Sequence, residues 1–442
     1  MKKLFVYALS ALLIASCLPG NGRVPQSPLL PTLERKSGMI AYLGVDGNMY
    51  ISDQAGKNLS QLTDDAVIPE SQGQPILYYQ QPTWSRDGSQ LAFIGLSSDG
   101  AQTVSKMMVA NLDDDSVHEV YASDNEHPIY LNWSPDNANV SFISTNFSGE
   151  NIILQSVPAQ GGDRTILDTG SPYYWSWAPD GKAMIVHAGG AAASVPEHVA
   201  FLNVDSTTVT EQALNADLPS IAAQSFQAPA WSPDGSRIAL TRVSDGENQI
   251  IVTDAAGENP DKIGAFNSKT AFAWSSDGTR IAYIDGQEAL SAGTLGPLHV
   301  VDLETSEEIV EEANIISFFW SPSGEEIAYF ILLQAPADSS SSGGSTDTAP
   351  QFALELHVLD VTSGESHEPL PSPYRPTQQF LGILPYFDQY HQSVTIWSPD
   401  NNNLVLSFLD TSGNPGIAIV PASGDLEPRI LAEGYMAVWS WE

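Results

Sequence analysis

Short apolar runs recur along the chain, and clusters of Ser, Pro, Asp and Gly separate them. A Trp closes one run, a polar turn follows, and a new apolar run begins. The clearest copy is Ala230-Trp231-Ser232-Pro233-Asp234-Gly235, followed by Ile238-Ala239-Leu240. This pattern predicts a hairpin. Pro presets φ at the first central position, Asp bonds nearby backbone N–H groups, and Gly accepts a positive φ. Two strands with one apolar face are not stable alone, so the unit must stack on copies of itself.

The copies are Trp84-Ser85-Arg86-Asp87-Gly88, Trp133-Ser134-Pro135-Asp136-Asn137, Trp177-Ala178-Pro179-Asp180-Gly181, Trp274-Ser275-Ser276-Asp277-Gly278, Trp320-Ser321-Pro322-Ser323-Gly324 and Trp397-Ser398-Pro399-Asp400-Asn401. Each precedes an apolar strand such as Leu91-Ala92-Phe93 or Ile281-Ala282-Tyr283, and third strands such as Ile250 to Asp254 follow. The Trp residues lie mostly 42 to 54 positions apart, the span of a four-stranded propeller blade. Insertions widen the interval between Trp320 and Trp397. The chain finishes with a repeat opening at Val438-Trp439-Ser440, and it starts with a second strand, Met39 to Tyr42, that has no opening before it. Joining these two halves would close a ring without a free sheet edge. The expected fold is therefore all-β: an eight-bladed β-propeller of four-stranded antiparallel blades, closed by the C-terminal strand in the N-terminal blade.

This recurring motif resembles that of the TolB-type, WD40-like β-propellers over residues 38 to 442. The same modules occur in TolB itself, in propeller domains attached to prolyl peptidases and in many envelope proteins, so the resemblance speaks to fold more than to function. Asp87, Asp136, Asp180, Asp234, Asp277 and Asp400 form a repeated carboxylate array. Their position in the turn makes them structural, because Asp there satisfies the local backbone.

Composition adds a compartment. Lys2 and Lys3 precede an apolar run, Leu4 to Ile14, too short for a comfortable membrane span. The run ends at Ile14-Ala15-Ser16-Cys17, which resembles a lipobox, and Cys17 is the only cysteine. The expectation is a lipoprotein signal over 1–17 and lipidation of Cys17. A Pro- and Gly-rich tether over 18–37 and a single propeller domain over 38–442 would follow. Leu18 is not Asp, so the retention signal of enteric inner-membrane lipoproteins is missing. Asp plus Glu number 53 against 17 Lys plus Arg, a formal net charge of −36. Such a surface repels nucleic acid and anionic lipid heads. A single cysteine gives neither an internal disulfide nor a cysteine-type zinc site.

Four strands per blade place the Trp-Ser-Pro-Asp-Gly turns on one face of the ring. The long insertions fall on the other, and two of those, Asp64 to Gln81 and Ser372 to Ser393, are read as links between blades. They carry Tyr78, Tyr79, Tyr374, Phe380, Tyr386, Phe387 and Tyr390, the candidate partner-binding residues, since aromatics favour interfaces. The competing reading packs these rings against the ring or caps its channel. No nucleophile elbow, His-Glu-x-x-His, phosphate loop or dinucleotide fingerprint occurs. The expected function is a lipid-anchored, monomeric, non-catalytic binding or scaffold module of the bacterial cell envelope. It would need no cofactor or metal and would take a protein, peptide or glycan partner. The alternative is a propeller enzyme, a glycan lyase or hydrolase, with a site at the channel mouth.

Overall fold

The computed structural model describes residues 38–69, 71, 74–146, 152–189, 197–204, 209–214, 227–287, 294–334 and 352–442. Cys17 and the tether lie outside the described residues. Among those described, antiparallel strands form six four-stranded sheets and one seven-stranded sheet. The second sheet shows the common plan, with Ile76–Trp84, Gln90–Ser98, Thr103–Asn111 and Ser116–Ser123 side by side in chain order. The first sheet departs from it. Ile40–Gly44 pairs on one side with Met49–Ser52 and on the other with Gly434–Trp439, in the register Ile40 to Trp439 and Leu43 to Met436.

The repeat turns fold as their chemistry dictates. In the Ser232 turn, Ser232 Oγ donates to Asp234 Oδ1 at 2.6 Å, and the Ser236 N–H reaches the same oxygen at 3.0 Å. Ser85 with Asp87, Ser134 with Asp136, Ser275 with Asp277 and Ser398 with Asp400 repeat the contact at 2.5 to 2.7 Å. Asp180 lacks the serine and accepts only from the Lys182 N–H. The Ser232 hydroxyl, then the Ser236 N–H and hydroxyl, hold the Asp234 carboxyl down to about 2. These carboxylates serve their own turns.

Trp does two jobs. Its ring fills the space between sheets, and its indole N–H crosses to the neighbouring sheet. Trp133 Nε1 donates to the Thr83 carbonyl at 2.9 Å, Trp274 to Ala230 at 3.0 Å, Trp320 to Ala273 at 3.3 Å and Trp397 to Phe319 at 2.9 Å. In every case the acceptor immediately precedes the previous repeat's Trp. Trp177 reaches the equivalent Asn132 carbonyl through the Ser141 hydroxyl. Two repeats end their turn in Asn rather than Gly. Asn137 and Asn401 adopt φ of +58° and +61°, and each side chain accepts the backbone N–H of the preceding repeat's turn, from Arg86 and Ser323 at 2.9 Å. Asn tolerates the left-handed region better than most residues, and here it adds a tie that Gly could not make.

Burial is uneven along the repeat. Trp84, Trp133, Trp274, Trp397 and Trp439 are buried, but Trp177, Trp231 and Trp320 are only half-buried, because they edge a cavity. Trp397 is completely buried. Replacing it by Phe keeps an aromatic body and orphans the Phe319 carbonyl, so Trp397→Phe is expected to cost about 1–3 kcal/mol, measured by urea unfolding at neutral pH.

Candidate functional site

The segment 377–394 departs furthest from the repeat, and its position corrects the reading of Ser372 to Ser393 as a link between blades. Arg375–Pro376 already pairs with Phe408 and Leu409 as the start of the seventh sheet's first strand. The strand resumes where the Val405 N–H meets the Ile396 carbonyl and Trp397 bridges Leu404. The residues between are an insertion within one strand, folded as helix α1 (Gln378–Ile383), a 3-10 turn (Leu384–Tyr386) and helix α2 (Phe387–Tyr390). Thr377 caps α1 and donates to the Tyr435 carbonyl at 2.6 Å.

The insertion touches every sheet. Phe387 packs on Phe318 with ring centroids 4.5 Å apart, and Phe380 packs edge-on against Phe330. Tyr390 meets the Tyr130 ring edge-on at 5.0 Å. Gln389 uses its primary amide as a strand residue would use its backbone. It accepts from the Trp175 N–H at 2.9 Å and donates to the Trp175 carbonyl at 2.9 Å, while Tyr130 Oη donates to the Gln389 carbonyl. Asp388 Oδ2 accepts the Ala228 N–H at 2.9 Å. Arg86 Nη2 donates to the Gln392 carbonyl at 2.8 Å, and the Trp439 N–H reaches the Thr395 carbonyl. A segment in contact with all the sheets at once lies on the axis they surround. It is a plug.

This placement redistributes the expected aromatic surface. Phe380 and Phe387 are wholly buried and Tyr79 is 5% exposed, so these rings are packed away from any partner. Tyr78 and Tyr79 belong to the strand Ile76–Trp84 rather than to a loop, and Tyr79 donates to Asp65. Tyr374 and Tyr390 are half-buried, the first bridging Leu354 and the second donating to the Ile129 carbonyl. Tyr386, at 45%, is the exposed ring of the insertion.

A smaller cavity of about 220 Å³ lies beside the insertion, lined by Gln80, Gln81, Gln378, Gln379 and Ile383, and another lies among the repeat turns, at the opposite end from the one expected. The volume of this second cavity is about 380 Å³. Trp133, Trp177, Trp231, Trp274, Trp320 and Trp441 wall it, prolines 135, 179 and 233 rim it, and the plug residues His391, Gln392, Val394 and Thr395 floor it. Arg86 lies over the Trp441 ring, 4.6 Å from its centroid. Asn132 is only 3% exposed, yet its side-chain amide makes no hydrogen bond to protein among the described residues, and it lines this cavity. Loss of hydration pushes the His391 ring down to about 4, so it is neutral at pH 7. Its Nδ1 faces the Phe387 carbonyl; that nitrogen carries the proton, which leaves Nε2 as an acceptor. Sequence reasoning missed Arg86, Asn132, His391 and Trp441. For Arg86 and Trp441 the signal was available, because each replaces the proline that follows Trp-Ser in the clearest copies.

No family model and no curated protein matches the chain. Solved structures do. A prolyl endopeptidase matches with TM-score 0.53 and 12% identity over 80% of this chain, which spans about half of that enzyme's length (49%). The dihydro-heme d1 dehydrogenase NirN matches with TM-score 0.52 and 12% identity, covering 95% of this chain and 77% of the other. TolB from Acinetobacter baumannii covers 96% of this chain and 87% of its own, at 11% identity and TM-score 0.37.

The fold is a β-propeller.

At these identities the likeness concerns fold alone. Within the propeller, burial pushes the Asp388 carboxyl up to about 6. A raised carboxylate pKa means that the folded state holds a proton the unfolded chain has released, so stability falls as pH rises from about 4 through 6. Asp388→Asn should remove that component, on the order of 3 kcal/mol, and flatten the profile of melting temperature between pH 4 and 7.

Proposed function

We propose that the chain is an eight-bladed propeller, held at the bacterial cell envelope by lipid on Cys17, that binds a partner without catalysis in the Trp-walled cavity. The count of eight follows from treating the seven-stranded sheet as two blades. Its long strand Glu308–Trp320 pairs through Glu308 to Glu311 with the strand before it, then through Ile315 to Trp320 with the strand after it. The pairing of Ile40–Gly44 with Gly434–Trp439 is then the closure.

The observation that carries the binding role is the cavity itself: aromatic walls, a floor supplied by a dedicated insertion, and polar side chains left open toward it. Concave, mostly apolar sites with a few placed polar groups are where proteins bind ligands. General acid–base chemistry would need a group titrating near the working pH. The ionisable side chains in this lining are Arg86 and His391, and His391 stays neutral well below pH 7. A protein, peptide or glycan of the envelope fits such a site; a net charge of −36 disfavours nucleic acid. The described chain begins at the cavity's end of the molecule, where Gly38 lies against Ser440 and Pro399 and the Met39 N–H meets Ser440 Oγ.

A photoreactive benzoylphenylalanine placed at Ser276, on the cavity rim, and separately at Tyr386 decides where partners sit. Irradiation of intact envelopes should give a discrete adduct from position 276 and none from position 386. An adduct from 386 alone would return the site to the insertion. Cys17→Ser should move the protein from the detergent phase to the aqueous phase on partitioning. Equal partitioning of both forms would remove the lipid anchor from the proposal.

A further inference from the structure

Eight repeats put eight residues at the position after Trp-Ser or Trp-Ala, all at the same end of the propeller. Five of them are proline: Pro135, Pro179, Pro233, Pro322 and Pro399. A sixth is Ser276. The remaining two are Arg86 and Trp441, which follow the first strand of the second sheet and the strand that pairs with Ile40–Gly44. The two departures touch each other, with the guanidinium over the indole. A repeat gives up proline here at some cost, since proline presets the turn. Breaks in an otherwise consistent local pattern concentrate at functional sites.

Arg86 is solvent-accessible and, among the described residues, pairs with no carboxylate, although the chain carries far more acidic than basic residues. One of its five N–H donors is engaged, with the Gln392 carbonyl. Stacking on Trp441 fixes the plane of the guanidinium and leaves its other edges free, the arrangement that receives a carboxylate by two parallel hydrogen bonds. Deeper in the cavity the buried Asn132 amide offers a donor and an acceptor without a protein partner, and His391 Nε2 offers a second acceptor. Around the mouth, Asp87, Asp136, Asp180, Asp234 and Asp277 are exposed.

Resting on the binding role above, we propose that the cavity captures the C-terminal carboxylate of a protein partner, with Arg86 as the carboxylate receptor. The partner's last side chain is apolar or aromatic and fills the Trp walls. Asn132 and His391 take the peptide N–H and C=O groups next to it. Upstream basic residues lie over the acidic turns. The charge balance favours this occupant over an acidic polysaccharide. A single carboxylate on a basic chain is attracted as a whole, whereas a polyanion meets the repulsion of a molecule with net charge −36.

The test uses a library of pentapeptides with lysine at the first two positions and random residues at the last three, made both as free acids and as C-terminal amides. Binding to the full chain in detergent is read by quenching of Trp fluorescence and by calorimetry. Free acids ending in an apolar or aromatic residue should bind at least tenfold tighter than their amides. Arg86→Gln, which keeps the backbone N–H bonded to Asn137, should abolish that preference while the protein stays folded. Asn132→Ala should weaken acid and amide alike. Trp177→Ala should weaken all binding. If acids and amides bind equally and Trp177→Ala still abolishes binding, the cavity is a binding site but the carboxylate inference is wrong. If no free acid saturates, the inference is overturned, and the cross-linking at position 276 decides the binding role independently.

Discussion

Everything in this molecule leans on one hydrogen bond, made again and again: an indole N–H reaching the backbone carbonyl one residue ahead of the neighbouring repeat's Trp. A sheet in a propeller packs on its neighbours mainly through side chains, so the sheets need a directional contact to fix their spacing. Trp supplies a large apolar area and a single donor at its edge. The bond from Trp397 to the Phe319 carbonyl and the bond from Trp133 to the Thr83 carbonyl are the same contact at two places in the ring. Trp84 and Trp231 are exceptions, since their indole N–H groups have no partner among the described residues. At Trp231 the contact is different in kind, with the backbone N–H reaching the Ser176 hydroxyl instead.

Arranging sheets around an axis creates a second problem, because the inner strands carry polar backbone groups facing a channel. The plug answers it with side chains that imitate a strand. Gln389 completes the inner edge at Trp175 with both halves of its amide, and Asp388 takes the Ala228 N–H. Buried polar groups left without partners cost far more than satisfied ones return, so the plug sits where it is needed most. It also sets the depth of the cavity, since the residues just after α2 are its floor. Cavity floor and structural filler are thus two ends of one insertion.

Much of this was legible in the sequence because it is local. Turn chemistry at Ser232 to Gly235 and the apolar run that follows are written in consecutive residues, and eight-fold recurrence reinforces each copy. The plug was not legible. Tyr374, Phe380, Phe387 and Tyr390 among prolines look the same whether they form a surface loop or a buried insert. What distinguishes the two is the pairing of Arg375–Pro376 with residues more than thirty positions away. Tyr78 and Tyr79 were misread for a related reason. Pro82 and the two glutamines before it suggest a loop, whereas the chain absorbs them as a bulge within one strand. Arg86 and Trp441 were visible as broken repeats, but only the fold shows that the two breaks are neighbours.

The insertion also imposes an order of assembly. Its contacts join Gln389 to Tyr130 and Trp175, residues 259 and 214 positions earlier in the chain, and Met39 meets Ser440 across 401 positions. Contacts of such long range form slowly, because closing the loop costs entropy before any packing rewards it. The plug has nowhere to dock until the third to sixth sheets stand around it, and the first sheet has no inner strand until the last residues arrive. A chain emerging from its N-terminus can stack each sheet on the one before it, since Trp133 reaches back to Thr83 and Trp274 to Ala230. The inner-strand groups that the plug satisfies at Trp175 and Ala228 stay open to water until residues 377–394 arrive, well after their own sheets are made.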